Sequence, residues 1–299
     1  MRCTGGTGIL DPVTVPDPPF PLAPPSEPDP GLFGPDSITW RIHGDPSMVL
    51  GGLRALVFQA LHPLAMAAVA KFSNYREDPW GRLFRTAEYI ARVTYGTTQE
   101  AREAGSRVRA VHARLSGVEA ESGIAYQVSD PHLLRWVHCA EVGSFLTAYQ
   151  RCGGRLTRDE ADAYVSEQMV AAELVGLEPA TVPATVAELR DYEQRMQPEL
   201  RVTQEARRAL WFILWPPMPL PARPGWATIA CVAFGLLPRW ARAMYGLPFT
   251  LTAHPGTDLA ALLTGRSLRA VVGLVPSTIR DSPARKAAFE RVGSAPGPR

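Results

Sequence analysis

The chain has 299 residues, of which 46% are hydrophobic and 20% charged, with a formal net charge of +2. That is enough apolar material for one sizeable core, and too little concentrated positive charge for a nucleic-acid partner. Four cysteines, Cys3, Cys139, Cys152 and Cys231, are scattered without a CxxC pair, which excludes a disulfide framework or a cysteine zinc site and reads as reduced thiols.

The start, "MRCTGGTGILDPVTVPDPP", lacks the charged n-region and apolar h-region of a secretory signal. Residues 10–36 are so rich in proline that neither helix nor sheet ladder persists there. We read 1–36 as an extended arm and 37–299 as one helical domain.

"SMVLGGLRALVFQALHPLAMAAVAKFS" carries alanine and leucine at helical density, with His62-Pro63 in its middle. Pro63 cannot donate a backbone hydrogen bond, so the expectation is a bent helix in which the Gln59 carbonyl loses its partner. "DPWGRLFRTAEYIARVTYGT" opens with Asp78 as cap and Pro79 in the first turn and ends at Gly96. "TQEAREAGSRVRAVHARLSG" has Ala101, Ala104, Val108, Val111 and Leu115 as its apolar stripe and Gly117 as its stop. "GIAYQVS" is the single plausible strand.

A fourth helix opens with Asp130-Pro131, and a fifth with Thr157 followed three residues on by Glu160, the capping-box spacing. Asp162 and Glu167 in the fifth read as caps or surface pairs. "VPATVAELRDYEQRMQPEL" and "TQEARRALWFILW" add two more helices; beyond Pro217 the pattern gives no firm boundaries. "WATIACVAFGLL" (226–237) falls short of the ~20 apolar residues of a spanning helix. It reads as a core helix or, through its flanking tryptophan and arginine, as a peripheral membrane contact. The fold class is all-α.

Among six histidines, His62, His112 and His138 lie in apolar helical settings, where an imidazole must find a partner or stay neutral. No HExxH, Glu-x-x-His pair, GxSxG elbow, Walker loop or GxGxxG follows the needed pattern. What remains is a helical pocket with imidazoles, suited to a haem or an apolar ligand. Arg82 and Thr86, four residues apart, share a helix face. They form either a surface arginine and a back-bonded threonine, or a polar pair beside a cofactor.

"GRLFRTAEYI", "VRAVHARLSG" and "YQVSDPHLLRWVH" resemble, in order and separation, the shared domain of the MpaB and latex-clearing-protein (rubber oxygenase) family. "GGLRALVFQALHP", "DAYVSEQMVAAELVGL" and "GLLPRWARAMYGLP" point to its large bacterial branch. The likeness runs from about Ser37 to the C-terminus. It implies a globin-like helical core, a b-type haem, and use of dioxygen to split a carbon–carbon double bond in an apolar, prenyl or terpenoid substrate.

Carried over, His112 matches the proximal iron ligand, and Arg82 and Thr86 match the arginine and threonine near the haem. Arg85 stands where the rubber-cleaving branch has a lysine, and cannot ligate as a neutral amine. His62 is assigned to the distal side, as sixth ligand or acid–base group, against the alternative that it holds the bend by donating to a carbonyl. His138 is assigned to the pocket, with Glu141 one turn on to orient its ring. Phe58, Leu61, Met66, Val137 and Phe145 are expected walls. The competing function is a haem or apolar-ligand binding protein without turnover, and the expected location is the cytoplasm.

Overall fold

The computed structural model describes residues 28–247 and 255–293; most of the proline-rich arm and Cys3 lie outside the described residues. At its centre is α6 (Pro131–Arg151), 21 residues long, with Leu133, Trp136, Ala140, Phe145, Ala148 and Tyr149 buried around its circumference. A helix apolar on all sides needs neighbours on all sides. α2 (Met48–Gln59) packs along it. The approach is close because Gly51 has no side chain: a Cβ there would meet the Phe145 Cδ1 at 2.9 Å and the Ala148 Cβ at 3.3 Å.

Before these comes α1 (Ile38–His43), and after α2 come α3 (Pro63–Phe72), α4 (Pro79–Tyr95) and α5 (Thr98–His112). A short antiparallel hairpin follows, β1 (Ser116–Val118) with β2 (Ala125–Gln127), in the register Gly117 opposite Tyr126. The strand expected in 123–129 is thus present, and Gly117 sits in its partner rather than ending α5. Beyond α6 run α7 (Arg158–Glu167), α8 (Met169–Leu174), α9 (Val186–Met196), a 3-10 turn (Gln197–Glu199) and α10 (Gln204–Leu214). Then follow α11 (Arg223–Gly235), α12 (Arg239–Met244), α13 (Pro255–Gly273), α14 (Ser277–Arg280) and α15 (Pro283–Val292).

The predicted caps form. Asp78 accepts from the Gly81 N–H at 2.9 Å, Asp130 from the His132 N–H at 2.8 Å, and Thr157 with Glu160 makes the reciprocal capping box. Thr97 and Glu100 make a second box on α5. Glu167 caps a different helix: its carboxylate accepts from the Ile38 and Thr39 N–H groups at 3.1 and 2.7 Å, at the start of α1. Asp162 likewise accepts from the Val186 N–H at 2.7 Å, at the start of α9.

Residues 56–72 do not form one bent helix. The chain breaks at 60–62, and α2 and α3 meet at 109°. His62 takes extended backbone as the N-cap of α3, and Pro63 occupies the first helical position, where its missing donor costs nothing. The Gln59 carbonyl is not orphaned: it accepts from the His62 N–H at 3.1 Å and the Trp136 indole at 3.0 Å. Buried Arg54 pins the same region. It donates to the Leu236 carbonyl at 3.1 Å and to Ser144 at 2.5 Å, with its guanidinium over the Phe58 ring.

No single helix among the described residues is long and apolar enough to cross a membrane. In α11 the run from Val232 to Leu237 is buried, so its apolar side chains build the core. Trp211, Trp215 and Leu220 are among the large apolar side chains left exposed. Residues 28–36, at the end of the expected arm, are fastened down. The Asp29 carboxylate accepts from the Thr98 N–H and hydroxyl at 2.8 and 2.9 Å, and its carbonyl from Arg291 at 2.8 Å.

Candidate active site

α4 is strongly amphipathic, yet only Val93, Thr94 and Tyr95 at its end are buried. Its first three turns carry Arg82, Thr86 and Tyr89 and stay open, with Phe84 66% exposed. α5 packs beside α4. Its stripe buries Ala101 and Ala104 but leaves Val111 54% exposed, so the expected stripe fails in the last turn. Gly105 lets α5 approach α8, where a Cβ would meet the Leu174 carbonyl oxygen at 2.7 Å.

His112 ends α5, half-buried, and its Nδ1 is buried without a hydrogen-bond partner. Burial lowers its pKa, and the positive charge of Arg82 lowers it further, so the ring is neutral and keeps a lone pair. Arg82 donates to the Thr86 hydroxyl, which in turn donates to the Arg82 carbonyl at 3.0 Å. The threonine is thus back-bonded to its helix, as the plainer reading expects, and it also fixes the guanidinium. Arg85 turns the other way, to Asp78 at 3.0 Å in solvent.

Across from them, α6 contributes Glu141 and His138. Burial raises the Glu141 carboxyl to about 7, even though Arg82 opposes the shift. Burial pushes His138 down to about 4. Both side chains nevertheless keep accessible surface. Tyr89, on the same face of α4, has its hydroxyl raised to about 12 by burial and by the Glu141 charge.

A neutral imidazole with an unpartnered buried nitrogen and a fixed guanidinium beside it fit the donor set that a haem needs: a ligand for iron, and a cation for a propionate or an oxygen anion.

Sequence reasoning missed a neighbouring group. His43 on α1 bonds through Nδ1 to Thr94 at 2.8 Å and through Nε2 to Tyr164 at 3.1 Å, and burial holds its pKa at about 3. Both Glu141 and Glu167 act on the Tyr164 hydroxyl. His43 precedes a glycine at the end of a six-residue helix, so no periodic pattern marks it.

The structure does not bring His62 to this group. Its Nε2 lies 4.0 Å from Glu199, its ring 5.9 Å from that of His132, and the charges acting on it are those of His132, Glu199 and Asp130. Those acting on His112 come instead from α4. The break at 60–62 turns the ring toward the first turn of α6, six residues before His138. The wall residues need a similar correction: Phe58, Leu61 and Met66 are packed in the core with almost no accessible surface. Phe145 is buried too, but its ring meets His43 edge-on at 5.2 Å, and half-buried Val137 packs against the core.

The family model described as "ER-bound oxygenase mpaB/B'/Rubber oxygenase, catalytic domain" matches residues 40–282. No curated protein and no solved structure matches the chain. The match runs from within α1 through α14 and includes Arg82, Thr86, His112 and Glu141, so the chain belongs to the mpaB/rubber oxygenase family and carries its oxygenase catalytic domain.

Proposed function

We propose that the protein is a haem b-dependent oxygenase acting on an apolar, prenyl or terpenoid alkene, by oxidative cleavage of a C=C bond. The observation that carries this reading is His112, a neutral imidazole whose buried Nδ1 has no partner, set beside Arg82 in an oxygenase catalytic domain. Bound haem would supply the one-electron chemistry through which dioxygen reacts with an alkene.

The protein's own groups do the rest. His112 would hold the iron through its lone pair, which its lowered proton affinity keeps free at neutral pH. Arg82, held by Thr86, would place a fixed positive charge beside the group, suited to a propionate or to an anionic oxygen. Glu141 is the carboxyl suited to take a proton from an allylic carbon, since burial brings its proton affinity close to neutrality. His138, one turn before Glu141 on α6, and Tyr89, one turn after Thr86 on α4, would flank a greasy substrate held there. Exposed Trp211, Trp215 and Leu220, with Arg207 and Arg208 close by, would let the protein rest on a membrane surface while collecting such a substrate.

The test is an absorption spectrum with iron and pigment analysis of the purified protein, then oxygen uptake with a prenyl alkene. The expected result is a Soret band that His112→Ala abolishes or shifts, and carbonyl products formed only with oxygen. A colourless, iron-free protein from haem-supplied cells overturns the haem assignment. A pigmented protein that consumes no oxygen with alkenes is the binding protein instead.

A further inference from the structure

We propose a second centre, separate from the one above: a site for a borderline divalent transition-metal ion, Zn²⁺ as the probe, held by His62, His132 and Glu199. One ring nitrogen of each histidine and a carboxylate oxygen of Glu199 lie within 4.8 Å of one another, the two Nε2 atoms standing 4.0 and 2.7 Å from that carboxylate. Among the described residues no other group of three or more such side chains has this arrangement.

Three segments distant in sequence supply the donors, and main-chain contacts hold them together. His62 caps α3 after the break. The Arg201 N–H donates to the Leu61 carbonyl at 2.9 Å, which brings the turn ending in Glu199 alongside His62. The Trp136 indole donates to the Gln59 carbonyl at 3.0 Å, which brings the first turn of α6 and its His132 to the same place. His132 already bonds Glu199 at 2.7 Å.

His62 is the telling residue. Its side chain is 3% exposed, and its Nε2 is buried with no hydrogen-bond partner. A buried ring nitrogen without a partner is costly, and a ligand accounts for it. The contact from the Ala65 N–H to Nδ1 is long, at 3.5 Å, so it restrains the tautomer weakly. A hydrogen bond from the ring to the main chain of His62 itself is also available. Donation from Nδ1 to a carbonyl leaves the Nε2 lone pair for a metal, the usual arrangement around a ligating histidine.

Donors about 2.0–2.1 Å from a tetrahedral zinc ion lie roughly 3.3–3.4 Å from one another. The His132–Glu199 separation must therefore open by about 0.6 Å and the His62–Glu199 separation close by about as much. Both adjustments fall on His132 and Glu199, whose side chains are about half exposed and free to turn. Two imidazoles and one carboxylate suit zinc and its first-row neighbours rather than calcium or magnesium. Three protein ligands at a partly open position leave a place for water. The Asp130 charge, felt at His62, favours a cation there.

The test is calorimetric titration of the full chain, chelator-treated, with ZnCl₂, and of Co²⁺ by its visible bands. The wild type is expected to take up one ion saturably. His132→Gln and Glu199→Gln, both at the surface and expected to keep the wild-type circular dichroism, should each weaken uptake more than about tenfold. His62→Ala tests the third ligand, but as a buried cap it risks the fold, so the two surface variants decide. His112→Ala should take up Zn²⁺ as the wild type does, which keeps this test independent of the haem reading. No saturable uptake by the wild type, or wild-type affinity in both surface variants, overturns the proposal.

Discussion

His43 offers a measurable link between burial and acid stability. Both ring nitrogens are engaged, one by Thr94 and one by Tyr164, and burial lowers the pKa from 6.5 to about 3. The folded pKa lies below the unfolded one. The neutral ring's contribution is therefore fully present above about 6.5 and is lost as pH falls toward 3. At pH 5 the ring in the unfolded chain is protonated and the folded ring is not. That difference favours unfolding by about 2 kcal/mol relative to pH 7, from ~1.4 kcal/mol per pH unit over the ~1.5 units below 6.5. The figure is insensitive to the folded value, because pH 5 lies well above it. His43→Gln removes this term. At pH 7 the variant is expected to be less stable by about 1–3 kcal/mol, because Thr94 and Tyr164 lose their partner. Between pH 7 and pH 5 the gap should narrow by about 2 kcal/mol. Urea denaturation of both proteins at pH 7, 6 and 5 reads the double difference, in which His138 and Glu141 cancel. Parallel stability curves would refute the buried, neutral assignment.

Glu141→Gln should lower oxygenase turnover by about 10²-fold and flatten the rise in rate that the wild type shows as pH passes through about 7; a pH–rate profile checks both. Thr86→Val, which removes the hydroxyl that fixes Arg82, should reduce turnover while leaving thermal stability within about 1 kcal/mol of wild type. Arg54→Ala should destabilise the fold by about 3–5 kcal/mol in urea titration, since the partners on α6 and α11 lose a buried cation. Gly105→Ala should destabilise by about 1–3 kcal/mol, because the added methyl meets the Leu174 carbonyl; a thermal melt compares it with wild type.

Local chemistry was readable in advance. Asp78-Pro79, Asp130-Pro131 and Thr157 with Glu160 start helices where the residues say they do, because a cap involves atoms within three positions of one another. The same locality carries the Arg82–Thr86 pair, one turn apart on α4. Glu167 shows the limit: it reads as a cap, but the helix it caps begins at Ile38, 129 positions earlier in the chain. The wall residues failed for a related reason. Helical facing tells which side chains share a side, not whether a core or a recess lies opposite.

His62 separates the two kinds of information most clearly. A proline after a histidine announces a disturbance, and the sequence by itself carries the all-α class, the helix starts and the oxygenase family. Whether the chain bends or breaks depended on what could receive the freed backbone groups. Trp136 and Arg201 receive them from other elements, and so the 109° turn forms and carries the imidazole to His132 and Glu199. The proton affinities of Glu141 and His43 are likewise properties of their surroundings, since burial by helices far apart in sequence sets them. Contacts within a helical turn follow from spacing. Desolvation, and the meeting of side chains from distant segments, exist only once the chain has folded.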